Sequence, residues 1–216
     1  AFMKQQIEDK IASGFNCIKL KIGAIDFKTE LDILKKIRQN FSESDIELRV
    51  DANGAFSTTE ALEKLKRLSD FKLHSIEQPI KAGQLEDMAK LCEVTPLAIA
   101  LDEELIGVFE DVDKKSLLQV INPQYIILKP SFIGGFKGSN TWINLAEKQN
   151  IGWWITSALE SNVGLNAIAQ YTYTKNSNLP QGLGTGSLFT NNITSPLEVK
   201  NGTLQYNINT NWNFNF

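Results

Sequence analysis

The 216-residue chain carries a formal charge of −3, with 42% hydrophobic and 22% charged residues, the balance of a globular protein whose core fits one domain or one domain with a small second. With that charge and no long Lys/Arg cluster, a general attraction to nucleic acid or to an anionic membrane is excluded. Cys17 and Cys92 match no CxxC pattern and are expected reduced in the core of a cytoplasmic protein. No run is long and apolar enough to span a bilayer, and the first residues lack the pattern of a signal peptide.

In chain order, Met3, Ile7 and Ile11 stand four apart and predict an amphipathic helix over 3–13, ended by Gly14. A strand over 16–22 follows, then a helix over 27–40 with Leu31, Leu34 and Ile37 on one face. Next come a strand at 46–51 and a helix at 58–68 capped by Ser57 or Thr58. The strand at 73–77 stops at Pro79, which could not continue a central ladder. A helix at 84–93, a strand at 97–102, a helix near 109–118 and a strand at 124–129 closed by Pro130 continue the alternation. A helix at 138–149, a strand within GWWITSALE, a helix at 163–175 and a last short strand or loop at QGLGTG complete it. From 188 onward the chain is polar and Asn-rich, and TLQYNIN alternates as an edge strand does, available to pair with a segment outside this chain.

Alternating strands and helices with short connections predict an α/β fold with a parallel sheet. Right-handed crossovers leave a doubly wound sheet or a (β/α)8 TIM-type barrel. Charged residues close nearly every apolar run, which favours the barrel, because an open sheet gathers its site at one switch point. Seven strands are counted, opening on a helix, so the first strand of eight is expected to be absent from this chain. The barrel is assigned to residues 1–187 and a tail to 188–216.

Asp51, Glu77 and Asp102 are 26 and 25 residues apart, about one βα unit each. That interval brings three carboxylates to the ends of successive strands, a donor set suited to a hard cation such as Mg²⁺, with Mn²⁺ an alternative. Neighbours on a strand face opposite ways, so Glu103 is assigned a supporting role behind Asp102 or a pairing with a lysine. Asn53, two residues past Asp51, is placed on its face, toward the substrate or the site's waters. Lys19 and Lys21 share one face of their strand. Like charge, a nearby cation and desolvation would push a lysine there downward, toward the range of a base. Lys129, four strands on, is expected opposite them. Two lysines flanking a bound carboxylate suit proton abstraction next to it.

With these residues in place, the chain resembles the enolase superfamily, muconate-lactonizing-enzyme subgroup. The matching pieces are K-x-K at 19–21, D-A-N at 51–53, E-Q-P at 77–79, L-D-E-E at 101–104 and L-K-P at 128–130 with its I-G-G. The resemblance implies the superfamily's known chemistry, a lysine base working with Mg²⁺ through an enediolate. ITSALESNVGLNAIAQY and GLGTGSLFTNNI are similar to the dehydratases that form o-succinylbenzoate in menaquinone biosynthesis. By that resemblance Lys21 takes the proton alpha to the carboxylate and returns it to the departing hydroxyl, while Lys129 stabilises the enediolate. Lys19 and Asn53 are then substrate contacts. Thr156 and Ser157 either bond the succinyl arm or cap the following helix, and Gly184 with Gly186 either admits a carboxylate or forms a turn. The resemblance also implies an N-terminal capping domain, missing from this chain, on which the tail would pack. Two alternatives stay open: an N-acylamino acid racemase or cycloisomerase with the same residues, and a truncated barrel without turnover. The substrate is in any case a small carboxylate, and the oligomeric state is not legible.

Overall fold

In a computed structural model the chain is described over residues 2–184 and 189–214, with side chains from Gln5 onward. The elements are α1 (Phe2–Ala12), β1 (Cys17–Lys21), α2 (Phe27–Asn40), β2 (Glu47–Asp51), α3 (Ala61–Ser69), β3 (Ser75–Glu77), α4 (Leu85–Val94) and β4 (Ile99–Leu101). A 3-10 turn at Glu103–Leu105 leads to α5 (Asp111–Ile121), β5 (Tyr125–Leu128), α6 (Gly135–Lys148), β6 (Gly152–Ile155), α7 (Asn162–Tyr173), β7 (Leu197–Lys200) and β8 (Thr203–Tyr206). Strands β1 to β6 lie in chain order in one sheet, and each pairing from β1 through β5 is parallel. A strand, a helix and the adjacent strand in sequence form the repeating unit of the anticipated barrel wall. The chain divides into two compact units.

The larger unit comprises Asn16–Ile127 and Thr141–Trp153. Its strands β2, β3 and β4 are buried almost throughout, as strands covered on both faces must be. Leu48, Val50, Ile76, Ile99 and Leu101 are wholly inaccessible there. Each such aliphatic side chain stabilises the fold by about 1.5–3 kcal/mol. The first strand departs from that expectation: its burial is mixed, because β1 is at the end of the strand order and pairs only with β2. Helix α2 buries Leu31, Leu34 and Ile37 as its spacing requires, and Asp26 caps it by accepting the Thr29 N–H at 3.0 Å. Helix α3 starts later than expected. Ser57 donates its backbone N–H to Glu60 at 3.2 Å, one half of a capping box, and the regular helix begins only at Ala61.

The smaller unit comprises Ala1–Phe15, Leu128–Asn140 and Trp154–Phe216. Here the tail holds a hairpin. Strand β8 pairs antiparallel with β7, so the edge strand finds its partner within this chain. Asn201 and Gly202 turn with φ of 49° and 68°, the left-handed pair of a two-residue hairpin loop. That turn abuts the end of α1, where a Cβ on Gly14 would lie 2.6 Å from the Asn201 carbonyl carbon. The Asn162 amide donates to the Ile193 carbonyl at 2.6 Å and Asn192 accepts the Asn162 N–H at 2.8 Å, tying the tail to the start of α7. Among the described residues of the expected strand or loop at QGLGTG, Gly182 forms a parallel bridge with Thr156.

Candidate active site

Strand register builds the site. Lys21, Asp51 and Glu77 align across β1, β2 and β3, and Glu77 aligns with Ala100 of β4, two residues before Asp102. The three carboxylate residues are 0%, 3% and 1% exposed. Lys19 Nζ donates to Asp51 Oδ2 at 3.1 Å and to Glu77 Oε2 at 2.6 Å. Lys21 Nζ donates to the same Asp51 oxygen and to Asn53 Oδ1, each at 2.5 Å. Both lysines therefore face the carboxylates, as their two-residue spacing predicts.

Asn53 reaches the site by a different route from the one expected. The strand ends at Asp51, and Asn53 turns left-handed with φ of 44°. Its backbone N–H donates to Asp51 Oδ1 at 3.0 Å and its amide to Glu103 Oε1 at 2.9 Å. Gly54 completes the turn with φ of 72°, and a Cβ there would lie 2.8 Å from the Lys81 Cα. Only glycine fits that approach. Glu103 thus pairs with Asn53 in a supporting position.

The electrostatics follow from burial and charge together. Burial first, then the negative charges of Asp51 and Asp102, push the Glu77 carboxyl up to about 8 against the opposing pull of Lys19. Burial also acts to raise Asp51, but Lys19 and Lys21 outweigh it and hold that carboxyl below its usual range. For Lys19, with no cation bound, the direction is opposite to the one expected beside a cation. Burial pushes it down, yet Glu77 and Asp51 more than offset that and hold the ammonium above its ordinary value. Held between two carboxylates, Lys19 is placed for binding rather than base chemistry.

Of the three buried carboxylates, Asp51 and Glu77 contact the two ammonium groups, and three carboxylates against two lysines leave a formal charge of about −1 if all are ionised. An all-oxygen donor set of this kind fits a hard divalent cation. Among the described residues no three His, Cys, Asp or Glu side chains converge in ligating geometry. Lys19 draws Asp51 and Glu77 onto its own ammonium.

The remaining expected site residues belong to the smaller unit. Lys129, half-buried, follows the last residue of β5. Thr156 follows β6 and donates its backbone N–H to the Leu128 carbonyl at 2.9 Å. Ser157 donates its backbone N–H to the Gly182 carbonyl at 3.1 Å. Ser161 occupies the N-cap position of α7 without a side-chain cap bond, so neither Thr156 nor Ser157 serves as its N-cap. A Cβ on Gly184 would meet nothing within 4 Å, and Thr185 and Gly186 lie outside the described residues.

Two participants escaped the sequence reading. Gln78 and Glu104 are 0% and 6% exposed and bond to each other between Nε2 and Oε2 at 3.0 Å. The available signal was their position: each is a polar residue in the motif of a liganding carboxylate, E-Q-P and L-D-E-E. Strand alternation assigned them no partner.

The family described as enolase C-terminal domain-like matches residues 3–208. The o-succinylbenzoate synthase of Desulfotalea psychrophila is 58% identical over 94% of this chain and 55% of its own length. The N-succinylamino acid racemase of Thermus thermophilus is 34% identical over 73% of this chain and 40% of its own. Among solved structures, that of MenC from Desulfotalea psychrophila superposes with a TM-score of 0.90 at 57% identity, covering 94% of this chain and 56% of that one. The chain spans about half the length of these relatives. Strand order, motif set and family match agree: the chain belongs to the enolase C-terminal domain-like family.

Proposed function

We propose that this chain is part of an enzyme that dehydrates 2-succinyl-6-hydroxy-2,4-cyclohexadiene-1-carboxylate to o-succinylbenzoate in menaquinone biosynthesis, using Mg²⁺ or Mn²⁺. The observation that carries this reading is the lysine–carboxylate cluster of β1, β2 and β3, on a chain 58% identical to an o-succinylbenzoate synthase. Asp51, Glu77 and Asp102 are the residues that would hold the cation. Bound there, the cation would anchor the substrate carboxylate and offset the charge that builds as the alpha proton leaves.

The two lysines of β1 divide the work. Lys19, kept charged between Asp51 and Glu77, donates to the substrate carboxylate. Lys21, with 63% of its side chain exposed, takes the alpha proton and returns it to the leaving hydroxyl, which departs as water. Asn53 orients the Lys21 amine through its 2.5 Å bond. Lys129 stabilises the enediolate with its positive charge. Thr156, Ser157 and Gly184 are assigned to the succinyl arm.

The test is turnover of the cyclohexadiene carboxylate with Mg²⁺, beside Lys21→Ala and Lys129→Ala. Loss of a general base should reduce the rate by about 10²–10⁴-fold. A folded protein that binds the cation but leaves this substrate unchanged would overturn the reading. The racemase relative from Thermus thermophilus supports a second activity on N-acylamino acids. Deuterium from solvent should then enter both enantiomers of the amino acid, because racemisation requires a proton-exchanging lysine on each face, whereas dehydration requires one base.

A further inference from the structure

Gln78 is fully buried and hydrogen-bonded through both its backbone and its side chain. It adopts a left-handed φ of 38°, a conformation that costs a non-glycine residue about 1–3 kcal/mol and persists only where the surroundings enforce it. Its backbone N–H donates to the Ala100 carbonyl at 2.9 Å, and its carbonyl accepts from Gly54 at 2.7 Å. The side chain turns the other way. Its Oε1 accepts the backbone N–H groups of Asp102 at 3.2 Å and Glu104 at 3.4 Å. Its Nε2 donates to the Ile80 carbonyl at 3.1 Å and to Glu104 Oε2 at 3.0 Å. Glu104 Oε1 accepts in turn from the Gly83 N–H at 2.8 Å.

One residue therefore joins the turn after β2, the segment after β3 and the turn after β4. These are the segments that present Asp51, Glu77 and Asp102. Glu77 is covalently attached to Gln78, and Asp102 hangs from its amide oxygen. We propose that Gln78 and Glu104 form a positioning pair that sets the site's affinity for a divalent cation, by fixing the Asp102 backbone relative to Glu77. The inference rests on the metal reading above. Neither residue touches substrate or cation; partners behind the ligands of a metal site commonly control its affinity.

Mn²⁺ alone is the probe. Its binding is followed by the electron paramagnetic resonance signal of the free ion, and thermal unfolding in EDTA is recorded in parallel. Gln78→Glu removes the donor to Glu104, and Glu104→Gln cannot satisfy Gly83 and Gln78 together. Each should weaken Mn²⁺ binding by about 10–100-fold. The double exchange, Gln78→Glu with Glu104→Gln, restores this bond with its polarity reversed, though not the bond to the Ile80 carbonyl, and should bind Mn²⁺ more tightly than either single variant.

Alternative causes give different patterns. Pure electrostatics predicts that Gln78→Glu, by adding negative charge, tightens binding. A merely structural role lowers the unfolding midpoint in EDTA and leaves the affinity of the folded protein unchanged. Either pattern, or failure of the double exchange to recover affinity, overturns the inference. If Gln78→Glu does not fold, Glu104→Asp, which keeps the charge but is too short to hold Gly83 and Gln78 together, decides in its place: weaker Mn²⁺ binding supports the pair and unchanged binding overturns it. Asp102→Asn is the control for the underlying reading: if the unaltered protein does not bind Mn²⁺, or Asp102→Asn binds it equally well, the metal site itself is wrong.

Discussion

At the scale of single residues, the site is governed by which carboxylate is compensated. Burial acts to raise both Asp51 and Glu77, but Asp51 has two ammonium partners to offset it and Glu77 has one along with two neighbouring carboxylates, so their titrations diverge in direction. The Glu77 carboxyl is raised from 4.5 to about 8, so the folded state holds its proton more tightly than the unfolded one. Its contribution to stability is complete below pH 4.5 and is lost as pH rises toward about 8. Asp51, lowered, contributes in the opposite sense, with stability present above its unfolded value of 3.8 and lost in acid. In EDTA the unfolding midpoint should therefore decline from about pH 5 to pH 8, and Glu77→Gln should flatten that decline. A slope unchanged in Glu77→Gln would assign it to other groups. Lys19 was legible as a site residue from its spacing, but the direction of its titration was not. That depended on two carboxylates from other strands lying within 3.1 Å of its amine.

At the scale of elements, the turns carry more information than the helices and strands they join. The D-A-N-G turn folds back so that Gly54 donates to the Gln78 carbonyl at 2.7 Å, with no room for a side chain. Gly54→Ala should cost more than about 1 kcal/mol, the usual gain reversed where φ is positive, and should weaken divalent-cation binding through displaced Asp51 and Asn53. Chemical unfolding and a cation titration on one sample check both. The Asn201–Gly202 turn was equally legible in principle, since N-G between two alternating runs signals a hairpin. The run LEVK alternates too, but of its four residues only Leu197 is partly buried, so the alternation marks no side that faces a core. Gly202→Val should melt β7 and β8, seen as faster amide exchange over 197–206, with the larger unit unaffected.

At the scale of the whole molecule, cation binding should appear as stability. A cation bound only by the folded state adds about 2.7 kcal/mol at a hundred times its dissociation constant. The unfolding midpoint should rise with Mg²⁺ in the unaltered protein and remain fixed in Asp102→Asn. Core substitutions act independently of this linkage. Leu65→Ala, in the fully buried face of α3, should cost about 2–5 kcal/mol by chemical unfolding and leave the shift produced by Mg²⁺ intact.

The amino-acid sequence by itself determined the alternation of strands and helices, their order and the positions of Lys19, Lys21, Asp51, Glu77 and Asp102 at the strand ends. These follow from local periodicity, from the charged residues that end apolar runs and from a spacing of one βα unit. Tertiary structure alone decided the rest. It gave the hairpin its partner, brought Asp51 and Glu77 onto the Lys19 ammonium and placed the amide of Gln78 beneath the backbone of Asp102. Each of these depends on atoms brought together from distant positions in the chain, where periodicity and local propensity carry no signal.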